Sequence, residues 1–276
     1  MIVLMDVGNT RAKLGWWDPR LGRETQVQAL TLQPESQSLA SESLSSGLHD
    51  WLGRLSIPPV MAYGVSVAGS GVSNALEHSL KNAGIPIRWI RPTTEMLGLT
   101  NRYDQPSQLG ADRWASMLGV AGKYPQNAIP IILATFGTAT TIDTLGPGAI
   151  FEGGMILPGP AMMRTSLATG TAKLPRVEGC GVAFPRNTQQ AISTGVLAAQ
   201  AGALFRQCME VKKSFGVNPR VCVSGGAWPE VEQEVRKNLA AMMIEAEHIA
   251  NPALDGLARL AAADVVLSSQ NSDPAA

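Results

Sequence analysis

The chain has 276 residues, of which 45% are hydrophobic, enough to fill the core of one large domain or of two ordinary ones. Its 22 Lys and Arg residues balance its 22 Asp and Glu residues, so it lacks the basic field on which binding to nucleic acid or to an anionic membrane depends. The three cysteines show no metal-ligand spacing, and no apolar run approaches the roughly 20 residues of a membrane span, so we expect a cytoplasmic protein without a disulfide framework, zinc site or transmembrane segment.

The first predicted element is a buried strand, Met1–Met5, that leads into a turn. A run of apolar residues is typical of a strand covered on both faces. In the turn, Gly8 allows the backbone to approach an anion, Lys13 supplies a cation, and Asp6 could hold a magnesium ion through water. Leu14–Trp17 is the predicted return strand. The segment predicts a phosphate-binding turn, or else a plain pair of strands.

The remainder of the first half alternates helices and strands. The pattern predicts, in order, a polar loop over Leu32–Ser46, a helix over Leu48–Leu55, a strand over Val60–Val67, a helix from a Ser73 cap to Ala83, and a strand over Ile87–Ile90. This rhythm indicates an α/β domain.

Residues suited to binding and activating an acceptor concentrate before Trp114. Apolar residues at helical spacing begin there, so Asp112 and Arg113 lie at a predicted helix start. Asp112 is either a structural residue of the first turn or a base that accepts a proton from a substrate hydroxyl. Arg113 can bind a carboxylate with two hydrogen bonds, Gly110 permits close approach, and Tyr103 adds an aromatic wall with a hydroxyl.

The second half repeats the opening of the first. Ile129–Ala134 is a predicted strand, a turn spans Thr135–Thr141, and Ile142–Leu145 is the predicted return strand. The repeat predicts a duplicated α/β domain that holds a nucleotide between two phosphate-binding turns. Thr-rich strands and Gly turns also recur in unrelated α/β proteins, which is the alternative.

Six further segments complete the prediction. Phe151–Pro160 is either the floor of a pocket or a β-arch loop. Val221–Ser224 is a predicted strand that leads into Gly225 and Gly226. The backbone of these two glycines could approach an adenine, or they could form a simple βα turn. Helices are predicted over Thr188–Phe215, with Asn187 or Thr188 as the cap, over Pro229–Leu239 and over Ala253–Val266. The polar tail, residues 267–276, is predicted to be disordered.

Four motifs stand in the order found in type III pantothenate kinases. They are Asp6–Thr10 with Lys13, Tyr103–Pro106 before Gly110–Arg113, Gly137–Asp143, and Gly153–Gly159. The chain resembles that family from Met1 to about Val266, and within it the branch first described as Bvg accessory factors.

The resemblance implies the α/β fold shared by actin, Hsp70 and sugar kinases. In that duplicated fold two ribonuclease-H-like domains, here expected over residues 1–112 and 113–266, flank a nucleotide cleft, and the protein is usually a homodimer. The implied reaction transfers the γ-phosphate of ATP to the primary hydroxyl of pantothenate, with Mg²⁺, as the first step of coenzyme A synthesis.

The resemblance also implies roles for individual residues. ATP and magnesium would be bound by Asp6, Val7, Gly8, Asn9, Thr10, Arg11, Ala12 and Lys13, and Thr138 would contact the nucleotide. Pantothenate would be bound by Tyr103, Gly110, Ala111, Asp112, Arg113 and Thr188, with Asp112 as the general base. Pantothenate has a carboxylate for Arg113 and a hydroxyl for Asp112, which agrees with the reading of these residues alone.

One position departs from the family. Its members commonly have an Asp before the Gly-Thr-Ala motif, as a ligand for a monovalent cation such as K⁺ or NH₄⁺, and this chain has Thr135 there. A neutral hydroxyl is a much weaker cation ligand than a carboxylate. We therefore expect weak or absent activation by potassium.

Two other function classes remain open on the sequence. Thr135 is compatible with a regulatory or accessory protein without catalytic activity, whereas Asp6, Lys13, Asp112 and Arg113 are the residues that catalysis would need. Another small-molecule kinase or phosphatase of the same fold is the third possibility, because a fold does not determine its substrate.

Overall fold

The computed structural model describes residues 1–32 and 37–271. The strands are β1 (Ile2–Val7), β2 (Arg11–Asp18), β3 (Gly22–Arg23), β4 (Gln28–Thr31), β5 (Met61–Ser66), β6 (Ile87–Trp89), β7 (Glu95–Met96), β8 (Leu99–Asn101), β9 (Ile131–Phe136), β10 (Ala139–Gly146), β11 (Ile150–Pro158), β12 (Arg220–Ser224) and β13 (Ala246–His248). The helices are α1 (Gln37–Leu52), α2 (Ser70–Asn82), α3 (Ala111–Lys123), α4 (Pro160–Gly170), α5 (Thr188–Phe215), α6 (Trp228–Ala240) and α7 (Pro252–Asn271).

The chain divides into two compact units. The first contains residues 1–124 and the described part of the segment from residue 252 onward, and the second contains residues 125–251. The division expected from the sequence, 1–112 and 113–266, differs from this one at both ends of the second unit. The reason is that α3 and α7 pack against each other and so remain together in the first unit.

The sheet of the first unit has the order β3-β2-β1-β5-β6, with β4 also paired to β2. β1 is antiparallel to β2 and parallel to β5. Val3, Met5 and Val7 on one face of β1 are buried against a core that includes residues of α1 and α2, while α7 packs on the sheet as well. Cover on both faces explains why the opening strand is apolar at consecutive positions.

α3 and α7 cross at two glycines. A Cβ on Gly256 would overlap the carbonyl oxygen of Ala115, and a Cβ on Gly119 would overlap that of Pro252. Arg259 of α7 also donates to the carbonyl oxygens of Leu118 (3.1 Å) and Leu97 (2.8 Å). The glycine contact therefore fixes α3, and with it the helix start that bears Asp112.

The second unit repeats the strand arrangement of the first. Its sheet runs β13-β12-β9-β10-β11, in which β9 is antiparallel to β10 and parallel to β12. Side chains of β9 pack into a core with residues of α5 and α6. β1 and β9 thus each pair with an antiparallel return strand and a parallel strand, and the predicted duplication is confirmed.

Several predicted elements have different bounds. α1 begins at Gln37, inside the predicted polar loop, because Leu44, Leu48 and Trp51 give the Ser-rich stretch a buried face; residues 33–36 of that loop lie outside the described residues. The helix predicted to start at a Ser73 cap begins at Ser70 instead, and the Ser73 hydroxyl lies 2.8 Å from that of Ser66.

Two further predictions, one for Phe151–Pro160 and one for the tail, are corrected. The Phe151–Pro160 segment was expected as a pocket floor or a loop, but residues up to Pro158 belong to β11, which pairs along its length with β10. The tail predicted to be disordered from residue 267 is helical as far as Asn271. Its last residues, 272–276, lie outside the described part of the chain.

We expect Gly256→Ala to destabilise the protein by about 1–3 kcal/mol, because the added methyl group forces apart two packed helices. Gly202→Ala in α5 is the matched control, since a Cβ at Gly202 meets no atom within 4 Å. That substitution should be neutral or stabilise by up to ~1 kcal/mol, because alanine loses less backbone entropy. Urea unfolding measures both; equal stability of Gly256→Ala and the wild type would contradict the crossing as described.

Candidate active site

The turn between β1 and β2 places a carboxylate beside a lysine. Asp6 and Lys13 are register partners in the two strands, and the Lys13 ammonium nitrogen lies 3.7 Å from Asp6 Oδ2. The Gly8 amide donates to the Arg11 carbonyl oxygen at 3.0 Å, which closes the turn. The predicted turn is confirmed, and its lysine is 32% exposed, so it can meet an anionic ligand.

The stretch predicted to bind ATP does not present all of its side chains outward. Val7 and Ala12 are fully buried in the core of the first unit, whereas Asn9, Thr10 and Arg11 are exposed. Val7 and Ala12 therefore have only their backbone groups available to a ligand.

The environment of Asp6 disfavours the charged form of its carboxyl group. Burial raises the pKa of Asp6 above its ordinary value, the attraction of Lys13 lowers it, and repulsion from Asp112 raises it further. Asp6 and Asp112 are far apart in the sequence, and in the first unit they lie close enough for their charges to interact. A magnesium ion would relieve this repulsion, so the residues present are compatible with one near Asp6.

Asp112 and Arg113 lie in the first turn of α3, as predicted. Gly110 is the N-cap residue and gives no side-chain hydrogen bond, and Asp112 Oδ1 accepts from the Arg113 amide at 2.8 Å. A Cβ on Gly110 would lie 2.7 Å from Asp112 Oδ1, so a larger residue here would displace the Asp112 carboxylate. The positive end of the helix dipole favours the Asp112 carboxylate at this place.

Tyr103 supports the Arg113 side chain. Arg113 is only 6% exposed, and its Nη1 donates to the Tyr103 hydroxyl at 2.9 Å. The guanidinium carbon lies 5.8 Å from the centre of the Tyr103 ring, within cation–π range. The structure therefore brings Tyr103, Asp112 and Arg113 together in the first unit and holds the guanidinium in one orientation.

Thr138 lies at the tip of the second turn, in the second unit, and is exposed. The turn is closed by the Gly137 amide, which donates to the Ala139 carbonyl oxygen at 3.1 Å. The Gly159 amide donates to the Thr138 carbonyl oxygen at 3.0 Å, and a Cβ on Gly159 would overlap the Gly137 carbonyl oxygen. Gly159 was part of a predicted motif, but its role in supporting this turn was not recognised from the sequence.

Gly225, like Gly159, lies in close contact with a backbone carbonyl oxygen. Its φ is +99°, and a Cβ there would overlap the Phe136 carbonyl oxygen. The same oxygen accepts from the Ala227 amide at 3.0 Å. Glycine is thus required here by the close approach of β9 and the turn after β12, whether or not an adenine binds nearby.

Thr188 is the first residue of α5, and Asn187 is its cap, with its side chain accepting from the Gln190 amide at 2.9 Å. Both residues line a cavity of about 620 Å³ in the second unit, whose other walls are mostly apolar and include Met163, Leu167, Leu174, Ile192 and Val196. No sequence pattern predicts this cavity, because its walls come from three separate segments.

In residues 1–32 and 37–271 no group of three or more His, Cys, Asp or Glu side chains is placed to hold a metal ion. In the same ranges, no helix has both the length and the apolar character required to cross a bilayer.

Known proteins resemble this chain over most of its length. The sequence profile of the type III pantothenate kinases matches residues 2–210. A type III pantothenate kinase of Bordetella petrii is 46% identical over 268 residues, which cover 95% of this chain and 97% of that protein. A type III pantothenate kinase of Bordetella pertussis is 44% identical over 269 residues, which cover 95% and 98%.

The fold also matches a solved structure. A Porphyromonas gingivalis protein assigned as an N-acetylglucosamine kinase superimposes with a TM-score of 0.53 at 10% identity, over 96% of this chain and all (100%) of that one. This likeness concerns the fold alone, and it confirms the ribonuclease-H-like α/β class expected from the sequence.

We expect Asp6→Asn to be more stable than the wild type at pH 7, because the amide removes a buried charge that Asp112 repels. A carboxyl pKa raised above 3.8 in the folded state means that wild-type stability falls as the pH rises through the interval between 3.8 and the raised value. The advantage of Asp6→Asn should therefore shrink as the pH falls through that interval. Urea unfolding between pH 7 and pH 3 measures it.

Asp18→Asn is the control with the opposite sign. Hydrogen bonds from the amides of Arg20 and Leu21 lower the pKa of Asp18. Its carboxylate contributes stability above pH 3.8 that is lost as the pH falls through the lowered value, so Asp18→Asn should not be stabilising at pH 7. An Asp6→Asn variant less stable than the wild type at pH 7 would contradict the electrostatic description of the site.

Proposed function

The chain belongs to the type III pantothenate kinase family, and on that premise we propose how its own residues perform the reaction. The enzyme transfers the γ-phosphoryl group of ATP to the primary hydroxyl of pantothenate, which yields 4'-phosphopantothenate, the first step of coenzyme A biosynthesis. The observation that supports this most directly is the grouping of Asp6, Lys13 and Asp112 in the first unit. A phosphate-binding turn and a carboxylate base are the two parts that such a transfer needs.

Each unit carries one turn with a proposed role in nucleotide binding. In the first unit, Asp6 to Lys13 provide the phosphate site: backbone amides and the Lys13 ammonium group would meet the phosphate oxygens, and Asp6 would hold magnesium. When bound, the magnesium ion neutralises phosphate charge. Thr138, in the exposed tip of the second turn, contacts the nucleotide.

Pantothenate is recognised at its two polar ends. The Arg113 guanidinium, oriented by Tyr103, binds the carboxylate, and a planar guanidinium suits a two-bonded contact with that group. Gly110 and Ala111 let the substrate approach the backbone at the start of α3. The family resemblance also assigns Thr188, the first residue of α5, to pantothenate binding.

Asp112 accepts the proton of the primary hydroxyl as the oxygen attacks the γ-phosphorus. The new O–P bond forms while the bond from the γ-phosphorus to the bridging oxygen breaks, and ADP leaves. Because phosphoryl transfer depends mainly on positioning and charge neutralisation, an ordinary aspartate is adequate as the base when its geometry is correct.

We also infer that the protein is a cytoplasmic homodimer. The family resemblance supports the dimer, and the balanced charge of the chain supports a location away from anionic surfaces. Sedimentation of the purified protein at micromolar concentration measures the oligomeric state; a monomer would contradict this inference.

Asp112→Asn should reduce turnover by about a hundredfold or more, because the amide cannot accept the proton. Asp50→Asn, on the exposed surface of α1, is the control and should retain full activity. Turnover of ATP is measured with pantothenate and with a panel of sugars, acetate and glycerol. We expect only pantothenate to be phosphorylated; full activity of Asp112→Asn would exclude it as the base.

Thr135 predicts the response to monovalent cations. It is the register partner of Thr141 in β10 and of Ser224 in β12, so neutral hydroxyl groups surround the position where the family commonly has Asp. Turnover should be comparable in potassium and in tetramethylammonium buffers. Thr135→Asp, which restores a carboxylate, should make turnover respond to potassium. A steep potassium requirement of the wild type would contradict this prediction.

A further inference from the structure

Gln200 is a fully buried amide in the middle of α5. Its exposed fraction is 0%, and both polar atoms of its side chain make hydrogen bonds. Its Oε1 accepts from the Thr140 hydroxyl at 2.6 Å, and its Nε2 donates to the Pro158 carbonyl oxygen at 2.9 Å and to the Met163 sulfur at 3.3 Å. One side chain therefore joins β10, the end of β11 and α4 to α5.

Two of these contacts are next to the second turn. Thr140 follows Thr138 by two residues and pairs in register with Phe136, the last residue of β9. Pro158 precedes Gly159, whose amide donates to the Thr138 carbonyl oxygen at 3.0 Å. Gln200 thus holds both segments that support the backbone of Gly137 and Thr138.

We propose that Gln200 is a positioning residue for nucleotide binding, which acts by fixing the turn that bears Thr138. The proposal rests on the proposed function in one respect, namely that Thr138 contacts the nucleotide. Removing the Gln200 amide leaves the Thr140 hydroxyl buried without its partner and takes a donor away from the Pro158 carbonyl oxygen. Because an unpaired buried hydroxyl is costly, β10 would shift to regain a hydrogen bond, and the turn would move with it.

The chain contains a matched pair for comparison. Gln207 lies two helical turns further along α5, and its Nε2 donates to the Thr144 hydroxyl of β10 at 2.9 Å. Both pairs join a glutamine of α5 to a mostly buried threonine of β10, but Thr144 is at the far end of the strand from the turn. A structural role alone predicts similar effects for the two pairs, whereas a positioning role predicts an effect on nucleotide only for Gln200.

The experiment measures nucleotide affinity and steady-state kinetics on the full chain. Gln200→Leu and Thr140→Val should each raise the Kd for a non-hydrolysable ATP analogue, and the KM for ATP, by about tenfold or more, in line with the cost of an unpaired buried group. The KM for pantothenate should change much less. Thr140→Ser keeps the hydroxyl and should restore nucleotide affinity. Gln207→Leu and Thr144→Val should leave nucleotide affinity within about twofold of wild type.

Gln200→Glu gives an independent readout that a loss of packing would not produce. A protonated glutamic acid can accept from Thr140 and donate to the Pro158 oxygen, but the ionised form has no proton to donate. The affinity of this variant for the ATP analogue should therefore weaken as the pH rises, in contrast to the wild type. An affinity with the same pH profile as the wild type would count against the hydrogen bonds as the cause.

Unchanged nucleotide affinity in folded Gln200→Leu would overturn the proposal, and so would an equal loss in Gln207→Leu. If Gln200→Leu does not fold, Thr140→Val, Thr140→Ser and the pH profile of Gln200→Glu decide the question. The binding assay contains no pantothenate, so it tests the role of Gln200 in nucleotide binding separately from the proposed pantothenate kinase activity. A wild type that binds nucleotide but does not phosphorylate pantothenate would contradict only the proposed function, and one that does not bind nucleotide would contradict both.

Discussion

Two carboxylates that repel each other, Asp6 and Asp112, are held together in the first unit. Their repulsion and the burial of Asp6 oppose folding, so the surrounding structure has to compensate for them. Lys13 supplies an opposite charge from the return strand, and the positive end of the α3 dipole favours Asp112. The glycine crossing of α3 with α7 keeps the second carboxylate in place. The charged residues proposed to act on phosphate and hydroxyl groups thus lower the stability of the folded protein.

The two turns share a backbone design but differ in chemistry. Asp6 and Lys13 are register partners in the first, and Thr135 and Thr141 are the corresponding partners in the second. Charged groups are therefore concentrated at the first turn. At the second turn, glycine contacts and the buried amide of Gln200 fix the backbone. We infer that the first turn neutralises charge and the second mainly sets position.

Local signals predicted some of these features well. The apolar run before Gly8 and its repeat before Gly137 identified β1 and β9, and the bounds of α5 were predicted as Thr188–Phe215. The start of α1 and the extent of β11 were not, because helix formation in a Ser-rich segment and the pairing of a Gly-rich one depend on burial against distant residues.

The sequence predicts the residues of the candidate site but not the contacts between them. Asp6, Lys13, Asp112 and Arg113 were identified by residue type and motif, but the support of Arg113 by Tyr103 and the repulsion between Asp6 and Asp112 are tertiary effects. The role of Gln200 gave no sequence signal, since a glutamine within a long helix is usually an exposed polar residue. Only the fold shows that this one lies beside the turn of Thr138.

The chain joins the phosphoryl group of ATP to the primary hydroxyl of pantothenate. Proton-coupled ³¹P NMR of the purified protein with ATP, Mg²⁺ and pantothenate detects this transfer at the phosphorus atom itself. We expect a new phosphomonoester signal, split by the two protons of a CH₂ group, that grows in equal amount with ADP. Inorganic phosphate as the only new product, or ATP that remains intact, would contradict the claim.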